Sequence, residues 1–80
     1  MNTIYISSPE NVIEFLTLNE IKTADELNTA VRNICRNWKS AAQALAEREF
    51  YDDLLVVLIE LDSKRVERFE VEGNRIVAAV

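Results

Sequence analysis

Hydrophobic and polar positions along the chain change period several times, and each change predicts an element. Thr3 to Ser7 alternates about Tyr5, with Ile4 and Ile6 between polar neighbours, the pattern of a short strand rich in β-branched and aromatic residues. Ser8-Pro9-Glu10 then carries helix-start chemistry: a serine cap, a proline at the first helical position and an acid near the positive end of the dipole. This predicts a short helix from Pro9 to about Leu16. Between Val12 and Leu18 the apolar residues are so dense that an extended segment fits them as well.

Thr23-Ala24-Asp25-Glu26 has the capping-box pattern and predicts the start of a second helix. From there Leu27, Val31, Ile34, Trp38, Ala41 and Leu45 recur at steps of four and three, flanked by Ala30, Cys35 and Ala42. One wide apolar stripe follows, and with it a single long helix from Thr23 to Glu49 or Phe50. No glycine marks its end. On this reading Trp38 and Cys35 belong to the core, Cys35 as a small hydrophobe with no base to activate it.

Leu54 to Ile59 is apolar on both parities, as in a strand flanked on both sides, and predicts the centre of a sheet. Asp62-Ser63-Lys64 reads as a turn, followed by a strand from Val66 to Glu72. A three-residue turn opposes Glu60 to Arg68, Ile59 to Phe69 and Val57 to Val71. Gly73-Asn74 is a two-residue hairpin signal suited to a type II′ turn, setting Glu72 against Arg75 and Val71 against Ile76. A last strand runs from Arg75 to Val80. Phe69, Val71, Ile76, Ala78 and Val80 then face the helix. Arg68, Glu70, Glu72, Arg75, Val77 and Ala79, joined by Val56 and Leu58, form a second face that one helix cannot cover.

The elements add up to a single α+β domain over residues 1–80, ordered βα(α)βββ, with a mainly antiparallel four-stranded sheet and one long amphipathic helix packed on one face. Composition agrees with one compact domain. Of 80 residues, 49% are apolar and 29% charged, with one glycine and one proline, unlike a disordered or low-complexity segment. The longest apolar run is Leu54 to Ile59, far short of the roughly 20 residues a membrane helix needs. No signal-peptide pattern opens the chain, so a cytoplasmic setting is expected.

Chemistry narrows the classes further. There is no histidine and only one cysteine, so the commonest general base, zinc ligand sets and redox dithiols are missing. No catalytic residues, cofactor or metal site are predicted. The net charge is -5, but it is segregated: residues 1–26 carry five acids and one base, 27–46 three bases and no acid, 47–62 six acids and one base, and 63–80 three acids and four bases. Arg32, Arg36 and Lys39 form a basic helical stripe, either an ordinary solvated face or an alternative docking strip. Three bases are too few for the counterion release that drives nucleic-acid affinity.

Glu47-Arg48-Glu49-Phe50-Tyr51-Asp52-Asp53 stands out, because its acids fall where the predicted helix ends and its dipole favours cations. One reading is a set of charges guarding the apolar run after it. The other is a partner-binding epitope of Glu47, Glu49, Asp52 and Asp53, with Tyr51 as aromatic anchor. Adjacent aspartates on a strand point to opposite faces, which argues against a shared metal ion.

The sequence therefore predicts a non-enzymatic, acidic protein-binding domain, an inhibitor or regulator that occupies another protein's basic surface. Size and charge suit a phage or mobile-element inhibitor of a host defence complex. The alternative is an assembly subunit that dimerises through the second sheet face or through the edge strand Arg75 to Val80.

Overall fold

The computed structural model describes residues 2–79, in the order β1 (Thr3–Ser7), α1 (Glu10–Leu18), α2 (Ala24–Arg36), α3 (Ala41–Ser63), β2 (Glu70–Glu72) and β3 (Arg75–Ala79). It is a small α+β fold with three helices and a three-stranded antiparallel sheet in the order β1-β3-β2. The expected fourth strand is absent from the described residues. So is the expected single long helix.

Both departures trace to residues 37–40. The stripe from Leu27 to Leu45 is interrupted after Arg36, where Asn37 caps α2 by donating its N–H to the carbonyls of Asn33 and Ile34. Ser40 then opens α3. Its hydroxyl accepts the N–H of Gln43 at 3.1 Å, while the Gln43 side chain accepts the N–H of Lys39 at 3.0 Å. This is a second capping box, S-x-x-Q, of the same kind as the one at Thr23. There the Thr23 hydroxyl accepts from the Glu26 N–H, and the Glu26 carboxylate accepts from the Lys22 N–H and the Thr23 hydroxyl.

Restarted at Ser40, α3 continues through the run read as a central strand. Its sequence is dominated by alanine, leucine and glutamate, all strong helix formers. Leu54, Val57 and Leu61, at spacings of three and four, are buried, whereas Val56 and Ile59 point to solvent. A six-residue apolar run cannot distinguish helix from strand by itself, and the helical context decides. The pairings of Glu60 with Arg68, Ile59 with Phe69 and Val57 with Val71 therefore do not form. The segment Asp62-Ser63-Lys64 is the end of α3 rather than a turn between strands.

Helices α1 and α3 both end without glycine. In α1, Glu20 takes a left-handed φ of 52°, and the N–H groups of Glu20 and Ile21 return to the carbonyls of Thr17 and Leu16. In α3, Arg65 has φ 57°, and Arg65 and Val66 donate to Asp62 and Leu61. These are Schellman endings, in which the residue after the left-handed one packs into the core. Ile21 and Val66 are both buried. The exits then pair with each other: Phe69 donates to the Lys22 carbonyl, Ala24 to the Glu67 carbonyl, and Thr23 bridges Arg68. This pairing uses residues 67–69, so the predicted strand Val66 to Glu72 shortens to β2.

The hairpin follows expectation. Glu72 lies opposite Arg75 and Val71 opposite Ile76, with Gly73 at φ 65° and Asn74 outside the left-handed region, the pattern of a type II′ turn. Because β1 pairs with β3, the stretch Arg75–Ala79 is the middle of the sheet and not its edge. Val80 lies outside the described residues. Ile4, Ile6, Val71, Ile76 and Ala78 face the helices, with Val12, Ile13 and Leu16 of α1 and Phe69 in the same core. Residues 10–18 are thus helical, and α1 packs on the same covered face of the sheet. Thr3, Tyr5, Ser7, Glu70, Glu72, Arg75, Val77 and Ala79 make the outer face, as expected for its β2 and β3 members, whereas Val56 and Leu58 belong to α3. Ser8 does not cap α1. Pro9 occupies the cap position, and the Ser8 hydroxyl is buried without a partner. Among the described residues no helix is long and apolar enough to cross a membrane.

Two predictions follow from the helix ends. A left-handed non-glycine residue costs about 1 kcal/mol, so Arg65→Gly and Glu20→Gly are each expected to raise stability by roughly 0.5 to 1 kcal/mol in urea unfolding. The Lys22 N–H and then the Thr23 hydroxyl hold the Glu26 carboxyl below its ordinary value of 4.5. A depressed folded-state value means that this stabilisation is fully present above about pH 4.5 and is lost as pH falls through the lower folded value. Glu26→Gln is expected to flatten the acid limb of the stability profile, read from thermal melts between pH 2 and pH 6.

Candidate docking face on the third helix

The acidic segment singled out in the sequence sits in the N-terminal half of α3, not at a helix C-terminus. The break at Ser40 moves Glu47 and Glu49 to within about three turns of a helix start, so the expected conflict with the dipole disappears. Asp52 and Asp53 lie on the helix as well. Their side chains diverge by about 100° around its axis.

Helical geometry divides the candidates into two groups. Glu47 and Tyr51 turn toward α2. The Trp38 indole Nε1–H donates to Glu47 Oε2 at 2.6 Å, and the Trp38 and Tyr51 rings meet edge to face with centroids 5.2 Å apart. Trp38, expected in the core, is half-buried in the α2–α3 connection and braces it against α3. Phe50, on the same side, packs edge to face on Phe15 of α1 at 5.3 Å. The carboxylate and ring of Glu47 and Tyr51 are therefore engaged within the fold.

Glu49 and Asp52 turn outward. At about 100° per residue, Leu45, Glu49, Asp52, Val56 and Ile59 fall within a sector of about 80° on the side of α3 opposite Leu54 and Leu61. Asp53 and Glu60 flank this sector, half-buried, and Arg48 lies on its other side, 3.7 Å from Asp52. Leu45, Val56 and Ile59 are 72%, 58% and 66% exposed, which sets them apart from the core residues of the same helix. Beside them a cleft of 290 Å³ opens between Trp38, Leu45, Arg48, Tyr51, Asp52 and Leu55. Apolar side chains line most of it, with one acid and one base at its rim.

Sequence reasoning found the acids and missed Leu45, Val56, Ile59 and Glu60. It placed Leu45 in the core stripe, Val56 and Ile59 in a strand, and Glu60 just after that strand, opposite Arg68. The Ser40-x-x-Gln43 capping box was the signal that could have found them, because a helix starting at Ser40 puts residues 45, 56 and 59 on one face.

The basic residues do not form one helical row. Arg32 and Arg36 are exposed on α2, and Lys39 is exposed in the connection, where the row is broken. Cys35, expected to be buried, is exposed. Asn37 serves as the cap of α2, while Asn19, Asn33, Asn37, Gln43 and Glu47 line a shallow groove of 380 Å³ between the helices with Phe15 and Trp38. Among the described residues no group of three His, Cys, Asp or Glu side chains comes together as a metal site would require.

Glu47→Ala removes the partner of a half-buried indole N–H. It is expected to lower stability by about 1 to 2 kcal/mol in urea and to shift the emission of Trp38, the single tryptophan, whereas the same change at exposed Glu49 is expected to leave both nearly unchanged. No family model, curated protein or solved structure matches this chain, so the site rests on its residues and their geometry.

Proposed function

We propose that this chain is a non-enzymatic protein-binding domain that inhibits or regulates a partner by occupying its surface through the outward face of α3. The observation that carries this reading is the placement of three large exposed hydrophobic residues among acids on a single helix face. Scattered exposed apolar residues are ordinary; a row of them framed by like charges has the composition of an interface core with a charged rim. Leu45 and Ile59 are about 21 Å apart along the helix, a length suited to a protein surface rather than a small metabolite.

Charge selects the partner. Glu49, Asp52, Asp53 and Glu60 surround the apolar row, with Arg48 on its other side and Lys64, four residues after Glu60, at its C-terminal end, and the whole chain carries -5. The complementary surface is a basic patch of another protein with an apolar side chain at its centre that enters the cleft beside Tyr51. Steering by opposite charge would make association fast and sensitive to salt. Occupation of a basic surface is itself an inhibitory act where that surface serves another acidic ligand.

The test places a photo-crosslinking residue at Val56, with exposed Thr29 on α2 as control, in extracts of the source cell. Crosslinking from position 56 and not from 29, to a lysine- and arginine-rich segment of one protein, is the expected result. The paired reversal Glu49→Lys and Asp52→Lys should then weaken binding at least about tenfold, with the thermal melt preserved. Crosslinking insensitive to that reversal, or directed to an acidic segment, would refute the reading.

A further inference from the structure

We propose that two copies of the chain pair through the open edge of β1, antiparallel about Tyr5, so that their sheets join into one. This reading stands apart from the α3 face and rests on a different element.

The direction of the main-chain groups comes first. The hairpin closes on Glu72 and Arg75, and a two-residue loop makes this a pair that exchanges both of its main-chain bonds. Alternation along β3 then directs Arg75 and Val77 toward β2, and Ile76 and Ala78 toward β1. Ile6 and Ile4, the partners of Ile76 and Ala78, bond to β3. The N–H and C=O groups of Thr3, Tyr5 and Ser7 point away from the sheet. Among the described residues no other hydrogen bond engages them.

The two edges of the sheet differ. β2 is three residues long, carries Glu70 and Glu72, and is preceded by residues already paired with Lys22 to Ala24. Short length and charge are the devices that keep an edge from pairing. β1 has five residues, no charge, no proline and no bulge in its pairing with β3. A chain of net charge -5 that leaves its longer edge uncharged has removed the repulsion that a second copy would otherwise meet there.

The sequence of β1 selects the occupant. Thr3-Ile4-Tyr5-Ile6-Ser7 reads nearly the same in both directions. A two-fold axis demands a surface complementary to itself, and antiparallel pairing about Tyr5 supplies it: Thr3 opposite Ser7, Ile4 opposite Ile6 and Tyr5 opposite Tyr5. In that register every pair is made of like side chains. Thr3, Tyr5 and Ser7 are also the residues whose main-chain groups are free, so they form the pairs that exchange bonds. Ile4, only half-buried at the edge of one sheet, gains cover from Ile6 of the partner subunit. Tyr5, 54% exposed beneath the Arg75 guanidinium at 4.3 Å, comes to lie beside its own symmetry mate.

Sedimentation velocity on the full chain from about 1 μM to about 1 mM tests this. The expected result is a reversible shift from 9.2 kDa to twice that mass. Two double variants then test the register at exposed positions. Thr3→Lys with Ser7→Glu places opposite charges across the axis and should keep the dimer, whereas Thr3→Glu with Ser7→Glu places like charges there and should weaken it at least about tenfold. A synthetic chain with N-methylated Tyr5, which lacks the central donor, should stay monomeric while retaining its circular dichroism. A wild-type monomer throughout the range overturns the proposal, as does equal association of the two double variants. Loss of the dimer in Val77→Lys but not in Thr3→Glu/Ser7→Glu would place the contact on the outer sheet face and overturn it too.

Discussion

The chain reversal at residues 37–40 is the constraint on which the rest of this structure depends. Asn37 ends one helix, Ser40 begins the next, and Trp38 between them is fastened to Glu47 and Tyr51 of the helix it introduces. Without the reversal, the stripe from Leu27 to Leu45 would run on as one helix and the segment after it would be free to enter the sheet. With it, α3 folds back against α2 and offers Leu54, Val57 and Leu61 to the core. Full burial of each such side chain is worth roughly 1.5 to 3 kcal/mol, and a strand would have buried a different set. The same rotation that buries one face of α3 sends Val56 and Ile59 outward.

A second pairing ties the helical layer to the sheet. Both α1 and α3 end in a left-handed residue followed by a buried aliphatic one, and the two exits lie antiparallel to one another through Lys22–Ala24 and Glu67–Phe69. Ile21 and Val66 fix where each exit begins, and the Glu26 carboxylate reaches the Lys22 N–H from the helix that follows. The strain at Glu20 and Arg65 is offset by two anchors in the core and by the main-chain bonds that follow them.

How much of this was legible in the chain depended on whether the signal was local. β1, the Thr23 cap, the Gly73-Asn74 turn and the alternation of Phe69, Val71, Ile76 and Ala78 were read correctly because each is encoded within a few residues. The reading failed where two local rules competed. At Trp38 and Ala41 the apolar spacing continued although two caps interrupted it, and at Leu54 to Ile59 the β-branched residues resembled a strand although helix formers surrounded them. Endings without glycine gave no sign of where α1 and α3 stop. For the candidate site, the acids were visible from composition, whereas the apolar row among them required the helix phase that only Ser40 sets. The inward turn of Glu47 and Tyr51 follows from that phase too.

The length of α3 carries one more consequence. Its 23 residues span about 35 Å, more than either minor dimension of a molecule measuring 45 × 21 × 19 Å, so the helix lies along the long axis. Its fully buried residues are Leu54, Val57 and Leu61, in the C-terminal half, while Gln43, Ala44, Glu47, Phe50 and Tyr51 of the N-terminal half are only half-buried, the last three held by Trp38 and Phe15. Burial along α3 is therefore graded, partial in the turns after Ser40 and complete at Leu54, Val57 and Leu61. The free energy needed to open its backbone rises along the helix, from local fraying near Ser40 toward the cost of global unfolding near Leu61.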